Sequence, residues 1–418
     1  MNQRSANLLL DCLHQDVSRA DRVRLSAVDA ATWEAARELS AAHGVQEFLL
    51  SRLTERGLDP AVPAPALAAM RAAAREGAIR SLELRRDLDR VSRALVAGGI
   101  PVIVLKGAYL AEAVYADAAR RSMSDIDLLV PERYLARAAA TLESDGYAAR
   151  APYDLETTLA ATPPDHLPRF VKRGAVGIEL HWLLLPFSPC CDVQEVWDRA
   201  VPFRGRARDR LALCPEDLLL HLCAHASYKH RFEMGLRAAC DLAETVRRFG
   251  AALNWTSLVD RARQWRWQRG TYLALRLAKE TLGAAVPGAA LGALRSGDVV
   301  DGDDALVATA RQLMLLDSQT HRSMPPSLVA VAGARGRGDV DLRLTTLARR
   351  IFLPRDIVAR AYGVAPGSPK ILLYYPVRLK DLIARHSRVA LRLLRGDTRL
   401  TPVAAQKAAL QQWLTDRD

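Results

Sequence analysis

Asp125 and Asp127 stand two residues apart in Ser124-Asp-Ile-Asp-Leu-Leu-Val130. Alternate residues of a strand share a face, so both carboxylates point one way while Ile126 and Leu128 point the other. Like charges this close repel and raise each other's pKa unless a cation sits with them. A pair of Mg²⁺ ions, with Mn²⁺ as the alternative ion, is the usual neutraliser where the substrate is a triphosphate. A third carboxylate is expected on a neighbouring strand, and Val176-Gly-Ile-Glu-Leu-His-Trp182 offers it. There Glu179 and His181 share one face and Ile178 and Leu180 the other. Glu179 is expected to bridge the metal nearest the acceptor and to help deprotonate the attacking group. His181 either orients Glu179 or touches the substrate.

The same chemistry needs a grip on phosphate. Lys106-Gly107 follows an apolar strand and opens a helix, which offers backbone N–H groups, the positive end of a helix dipole and a lysine. Arg121 is expected to reach the same phosphates as a fork-shaped donor. Nucleotidyl transfer is mostly positioning plus charge neutralisation, so this set is sufficient for it. His221 and His225 lie four apart, with His230 beyond, but no glutamate sits between them in the zincin manner. Set in Leu-rich text, they read as packing residues beside the catalytic layer. An intermediate reading has them lining the pocket with Lys229, Arg237 and Asp241.

The elements that must position these residues follow from periodicity. Residues 1 to about 98 read as helices ended by Gly98-Gly99. Strands are expected over Pro101–Leu105, Asp125–Val130 and Val176–Leu184, with helices over Ala108–Tyr115 and Glu132–Ser144. Ala151–Gly174 carries four prolines and no period and reads as a loop. Helices resume at Pro215, with Glu216 and Asp217 in the first turn, and run to about residue 320. The charges of Arg204–Arg210 read as a solvated turn or edge strand. The fold class is α+β: a small mixed β-sheet core embedded in a largely helical chain.

The 418 residues carry a net charge of +12, a balance that draws polyphosphates, nucleic acid or anionic lipid. Cys12, Cys190, Cys191, Cys214, Cys223 and Cys240 form no C-x-x-C pair and read as small buried hydrophobes in a reducing compartment. Met1–Arg19 is no signal peptide and no apolar run spans a bilayer, so the expected location is cytoplasmic. Lys370, Arg378, Lys380, Arg385, Arg388, Arg392 and Arg395 alternate with Leu373, Val377, Leu379, Leu382 and Leu391. This stretch could meet a membrane periphery or nucleic acid, though its Leu and Val positions are expected to face the protein. Tyr374 and Tyr375 read as packing residues.

Leu105-Lys106-Gly107, Tyr115, Arg121, Asp125-Ile-Asp-Leu-Leu-Val130 and Glu179-Leu-His-Trp182 resemble the nucleotidyltransferase superfamily that includes DNA polymerase beta. The closest likeness is to its bacterial branch of uncharacterised proteins. It continues through Pro215-Glu-Asp-Leu-Leu-Leu-His221, His225, His230 and Asp241, covering about residues 80 to 250. The wider superfamily has Gly-Gly or Gly-Ser after the first strand, where this chain has Lys106-Gly107-Ala108. The resemblance implies that Asp125 and Asp127 hold metal and that Glu179 is the third carboxylate. It implies a nucleoside triphosphate as co-substrate and pyrophosphate as product, with an unidentified small-molecule, peptide, protein or RNA acceptor. The expected regions are 1–80 (N-terminal helices), 81–205 (nucleotidyltransferase core), 206–325 (helices completing the cleft) and 326–418 (basic, mainly helical). Two other readings stay open: a catalytically silent nucleotide-binding scaffold of a biosynthetic cluster, and a toxin-like enzyme that modifies RNA. Nucleic acid is not the favoured partner, since no recognised RNA-binding motif is present.

Overall fold

The structure is a computed structural model. It describes residues 3–160, 165–186, 190–203, 210–295 and 303–316, and in the C-terminal part 355, 358, 364, 368–380 and 400–415. Residues 1–315 gather into one compact unit and 316–418 into another.

The first unit opens with helices Gln3–Leu13, Ala30–Ala42 and Gln46–Glu55, followed by the long helix Ala64–Ala97. Asp29 caps one of them by accepting from the Thr32 N–H, which satisfies a donor the helix start would otherwise leave unpaired. Leu9, Trp33, Leu49, Met70 and Leu88 bury the faces these helices share. The long helix ends where expected, at Gly98, and Gly99 turns the chain with a φ of +68°.

The sheet has seven short strands: β1 (Ile103–Val104), β2 (Asp125–Leu129), β3 (Ala148–Ala149), β4 (Phe170–Val171), β5 (Gly177–His181), β6 (Val201–Pro202) and β7 (Leu211–Ala212). Their order is β3-β4-β5-β2-β1-β7-β6. β2 runs parallel to β5, β1 antiparallel to β2, and β1 parallel to β7. This is the mixed sheet of an α+β fold. Ile126, Leu128, Ile178 and Leu180 are fully buried, and the helices Ala64–Ala97 and Leu135–Ser144 pack against these strands.

Strand lengths differ from expectation for local reasons. β1 is shorter than Pro101–Leu105 because Lys106 takes a φ of +43° and starts the helix Lys106–Ala113. β5 stops at His181 because the Trp182 N–H turns to the carbonyl of Asp165. The Pro-rich stretch read as a loop contains the short helix Leu155–Ala160 and β4, and His166 bridges to His181.

Arg210 corrects the reading of a solvated charge run: its side chain is buried, 2.8 Å from Asp89 and stacked over Phe203. The long helix supplies the countercharge and the ring supplies the apolar cover, which together make the inside tolerable for a guanidinium. The other residues of that run, 204–209, lie outside the described residues.

Beyond the sheet come helices Pro215–Ala224, Leu236–Phe249, Trp255–Gln264, Gln268–Leu282, Gly288–Leu294 and Asp303–Leu315. A π-helical turn, His225–Lys229, extends the first of these. Asp217, read as a first-turn acid, is fully buried between Arg199 and Arg261, at 3.0 and 2.6 Å. Five of the cysteines are buried and all six are free, as the sequence suggests.

In the C-terminal unit Ile371 packs on Val358, with Val364, Tyr374 and Tyr375 against them. Leu373, Val377 and Leu379 are exposed, against the expectation that they face the protein, as is Leu372; among the described residues the apolar cluster of this part forms around Ile371. Arg385, Arg388, Arg392 and Arg395, with Leu382 and Leu391, lie outside the described residues. No described helix is long and apolar enough to cross a membrane.

Candidate active site

Parallel pairing sets Asp127 opposite Glu179, Leu129 opposite His181 and Asp125 opposite Gly177. Strand alternation then puts Asp125, Asp127, Glu179 and His181 on one face of the sheet, while the apolar residues between them fill the other. The face looks into a cleft of about 320 Å³ whose opposite wall carries His225, Lys229, His230 and Arg237.

Asp127 is the centre of the carboxylate face. Its Oδ1 accepts from Lys106 Nζ at 3.0 Å and lies 3.0 Å from His181 Nε2. Burial alone would raise the Asp127 pKa, but Lys106 and the His181 hydrogen bond outweigh it and hold the carboxyl well below its usual range. Glu179 is also lowered, by the imidazole of His181 first, against burial and the charge of Asp127. Asp125 moves the other way: burial, then Asp127 and Glu179, raise it, while Arg169 at 3.5 Å only partly compensates.

Asp127, Glu179 and His181 offer ligand atoms that all lie within 4.8 Å of one another. Two carboxylate oxygens and one imidazole nitrogen at that spacing fit a divalent cation. His181 Nδ1 is buried without a hydrogen bond, 3.7 Å from Asp165. Asp125 stands apart from this trio, turned towards Arg169.

Lys106 lies at the strand–helix junction, as the sequence suggests, yet its ammonium rests on Asp127 and is 3.4 Å from His181 Nε2. Arg121 borders the cleft, but its Nε and Nη2 donate to the two oxygens of Asp241 at 3.0 and 2.8 Å. Tyr115 donates to the same carboxylate at 2.9 Å. A paired, buried guanidinium of this kind is held firmly, and Nη1 is left towards the cleft, 3.5 Å from the Ser122 carbonyl. Gly107 makes that arrangement possible, since a Cβ there would collide with Arg121 Nη1.

His221 is fully buried under the cleft with both ring nitrogens unbonded, whereas His225 and His230 line it. Burial, reinforced by Lys106, holds His221 and His225 well below the usual imidazole range. His230 is lowered to about 4 by burial and by Lys229, Lys106 and Arg237. His225 and His230 are therefore neutral at neutral pH, on the wall of a cleft that also carries Lys106, Lys229 and Arg237.

Sequence reasoning missed Asp165, His166 and Arg169. Asp165 pairs with Lys229 and His166 Nε2 lies 3.9 Å from Glu179 Oε2. Both residues fall in the Pro-rich segment without period, where no pattern marks them.

A family model described as "uncharacterised nucleotidyltransferase" matches residues 29–283. The match extends past residues 80–250 on both sides and takes in both walls of the cleft. No curated protein matches the chain.

Proposed function

The chain belongs to the uncharacterised nucleotidyltransferase family, and from that premise we propose that it moves a nucleoside monophosphate from a triphosphate to an acceptor, releasing pyrophosphate. One observation carries the reading: Asp127 and Glu179 stand in register on neighbouring parallel strands, with His181 beside them, facing a cationic wall. A divalent cation, Mg²⁺ or Mn²⁺, held by Asp127 and Glu179, with Asp125 on the same face of the sheet, would supply charge neutralisation at the α-phosphate. His181 orients the Asp127 carboxylate through the 3.0 Å contact.

Lys229 and Arg237 on the facing wall balance the triphosphate's charge, and His225 and His230 offer neutral hydrogen bonds to it. Lys106 and the first-turn N–H groups of its helix lie within the same cleft and add to this grip. The acceptor oxygen attacks the α-phosphorus in line, and Glu179 helps to remove its proton.

The test is pyrophosphate release from each of the four triphosphates with Mg²⁺ or Mn²⁺, comparing wild type with Asp127→Asn and using cell extract as the acceptor source. Release should fall by about 10²–10³-fold in the variant. Triphosphate binding by the wild type without any release would favour a silent nucleotide-binding protein instead.

A further inference from the structure

A second groove, of about 410 Å³, shares Met123 and Ser124 with the carboxylate cleft. Its charged lining is Arg80, Arg150 and Arg169 against a single acid, Glu83. Arg169 stands where the two spaces meet: it lies 3.5 Å from Asp125 and donates to the Ser124 carbonyl. Gly177 leaves the room for it, because a Cβ there would collide with the Arg169 guanidinium. Arg150 is exposed, and its side chain makes no hydrogen bond or ion pair among the described residues. Its backbone N–H donates to the Arg169 carbonyl at 2.8 Å, which fixes the two arginines beside each other. Arg80 is shared with Glu47 and Glu76, each 3.7 Å away.

Guanidinium forks match planar or tetrahedral oxyanions, and a space of this size suits a small molecule. We propose that this groove seats the acceptor, and that the acceptor is a small molecule carrying a phosphate or carboxylate group held by Arg150 and Arg169. The inference rests on the nucleotidyl-transfer reading and names the substrate class for it. The acceptor's hydroxyl oxygen bonds to the α-phosphorus, and the bond from that phosphorus to the oxygen bridging the β-phosphate breaks. Pyrophosphate leaves with the electron pair, and the hydroxyl proton passes to Glu179 and on to solvent.

The test uses the full chain, free and saturated with Mg²⁺ and an α,β-methylene triphosphate, titrated with glycerol 3-phosphate, glycerate, glycerol and a short RNA oligonucleotide. One or both anions should bind and glycerol should not; the preferred anion tells phosphate from carboxylate recognition. Arg150→Glu, at an exposed position outside the carboxylate cleft, should weaken the anion at least about tenfold and leave the nucleotide analogue within about twofold. Four results would overturn the proposal. They are no anion binding at millimolar concentration, binding indifferent to Arg150→Glu, anion binding competed away by the nucleotide analogue, and Arg150-dependent binding of RNA in place of the small anions. Failure of the wild type to bind the nucleotide analogue would sink the nucleotidyl-transfer reading, and with it the acceptor role; anion binding to the free protein is scored separately.

Discussion

Lys106 Nζ lies 3.0 Å from Asp127 Oδ1 and 3.4 Å from His181 Nε2, so one ammonium occupies the middle of the carboxylate face. The placement follows from backbone geometry: a φ of +43° at the strand–helix junction turns this side chain onto β2.

Replacing Lys106 by Met removes that charge from Asp127 while keeping the length of the side chain. Mn²⁺ binding without nucleotide, read by electron paramagnetic resonance, should tighten several-fold because a cation no longer competes with an ammonium. Triphosphate affinity should weaken by about tenfold through the lost phosphate contact. Unchanged or weaker Mn²⁺ binding by a folded variant would show that Lys106 does not compete for this site.

Gly107→Ala should destabilise the protein by about 1–3 kcal/mol, because the new methyl pushes Arg121 off its paired seat on Asp241. The cost should shrink to less than about 0.5 kcal/mol when Arg121 is already Met, since the colliding group is gone. Urea unfolding of the two single variants and the double variant gives the comparison; simple additivity would refute the collision.

Acid should destabilise the fold earlier than carboxylates alone would cause. The His230 pKa is lowered from 6.5 to about 4 on folding, so the unfolded chain takes up a proton that the folded chain refuses. Stability from this group is complete above the unfolded value of 6.5 and is lost as pH falls towards 4, to a total of up to about 3 kcal/mol. His221 and His225 act in the same direction. Asp127 contributes separately: its stabilisation is present above the ordinary carboxylate value of 3.8 and is lost only as pH falls through its lower folded value. Urea midpoints between about pH 7.5 and 4.5 should therefore fall less steeply for His230→Asn than for wild type. Parallel slopes would remove His230 from this account.

The carboxylate face was legible because strand alternation alone puts Asp125 with Asp127 and Glu179 with His181. The register that sets Asp127 opposite Glu179 came from parallel pairing, which no local pattern encodes. The phosphate role expected of Arg121 rested on residue type, and the structure adds that its Nε and Nη2 are already on Asp241, 120 residues away in sequence. The His221/His225 spacing suggested one helix face. The two rings do stand side by side, with centroids 6.0 Å apart, and the π-turn begins only at His225, so depth and not face separates them: His221 is buried while His225 and Lys229 line the cleft. Asp165 and Arg210 were hidden for another reason: a buried charge is recognisable only through its partner, here Lys229 and Asp89.

The Tyr115–Asp241–Arg121 cluster sets a lower limit on the size of a working fragment. A chain cut after β7 would keep all three carboxylates and the whole sheet, yet it would leave Arg121 without its counterion and the cleft without its second wall. Ribosomal synthesis meets the same limit: the site cannot close until the helix bearing Asp241 has emerged, well after β5, the last strand of the carboxylate face.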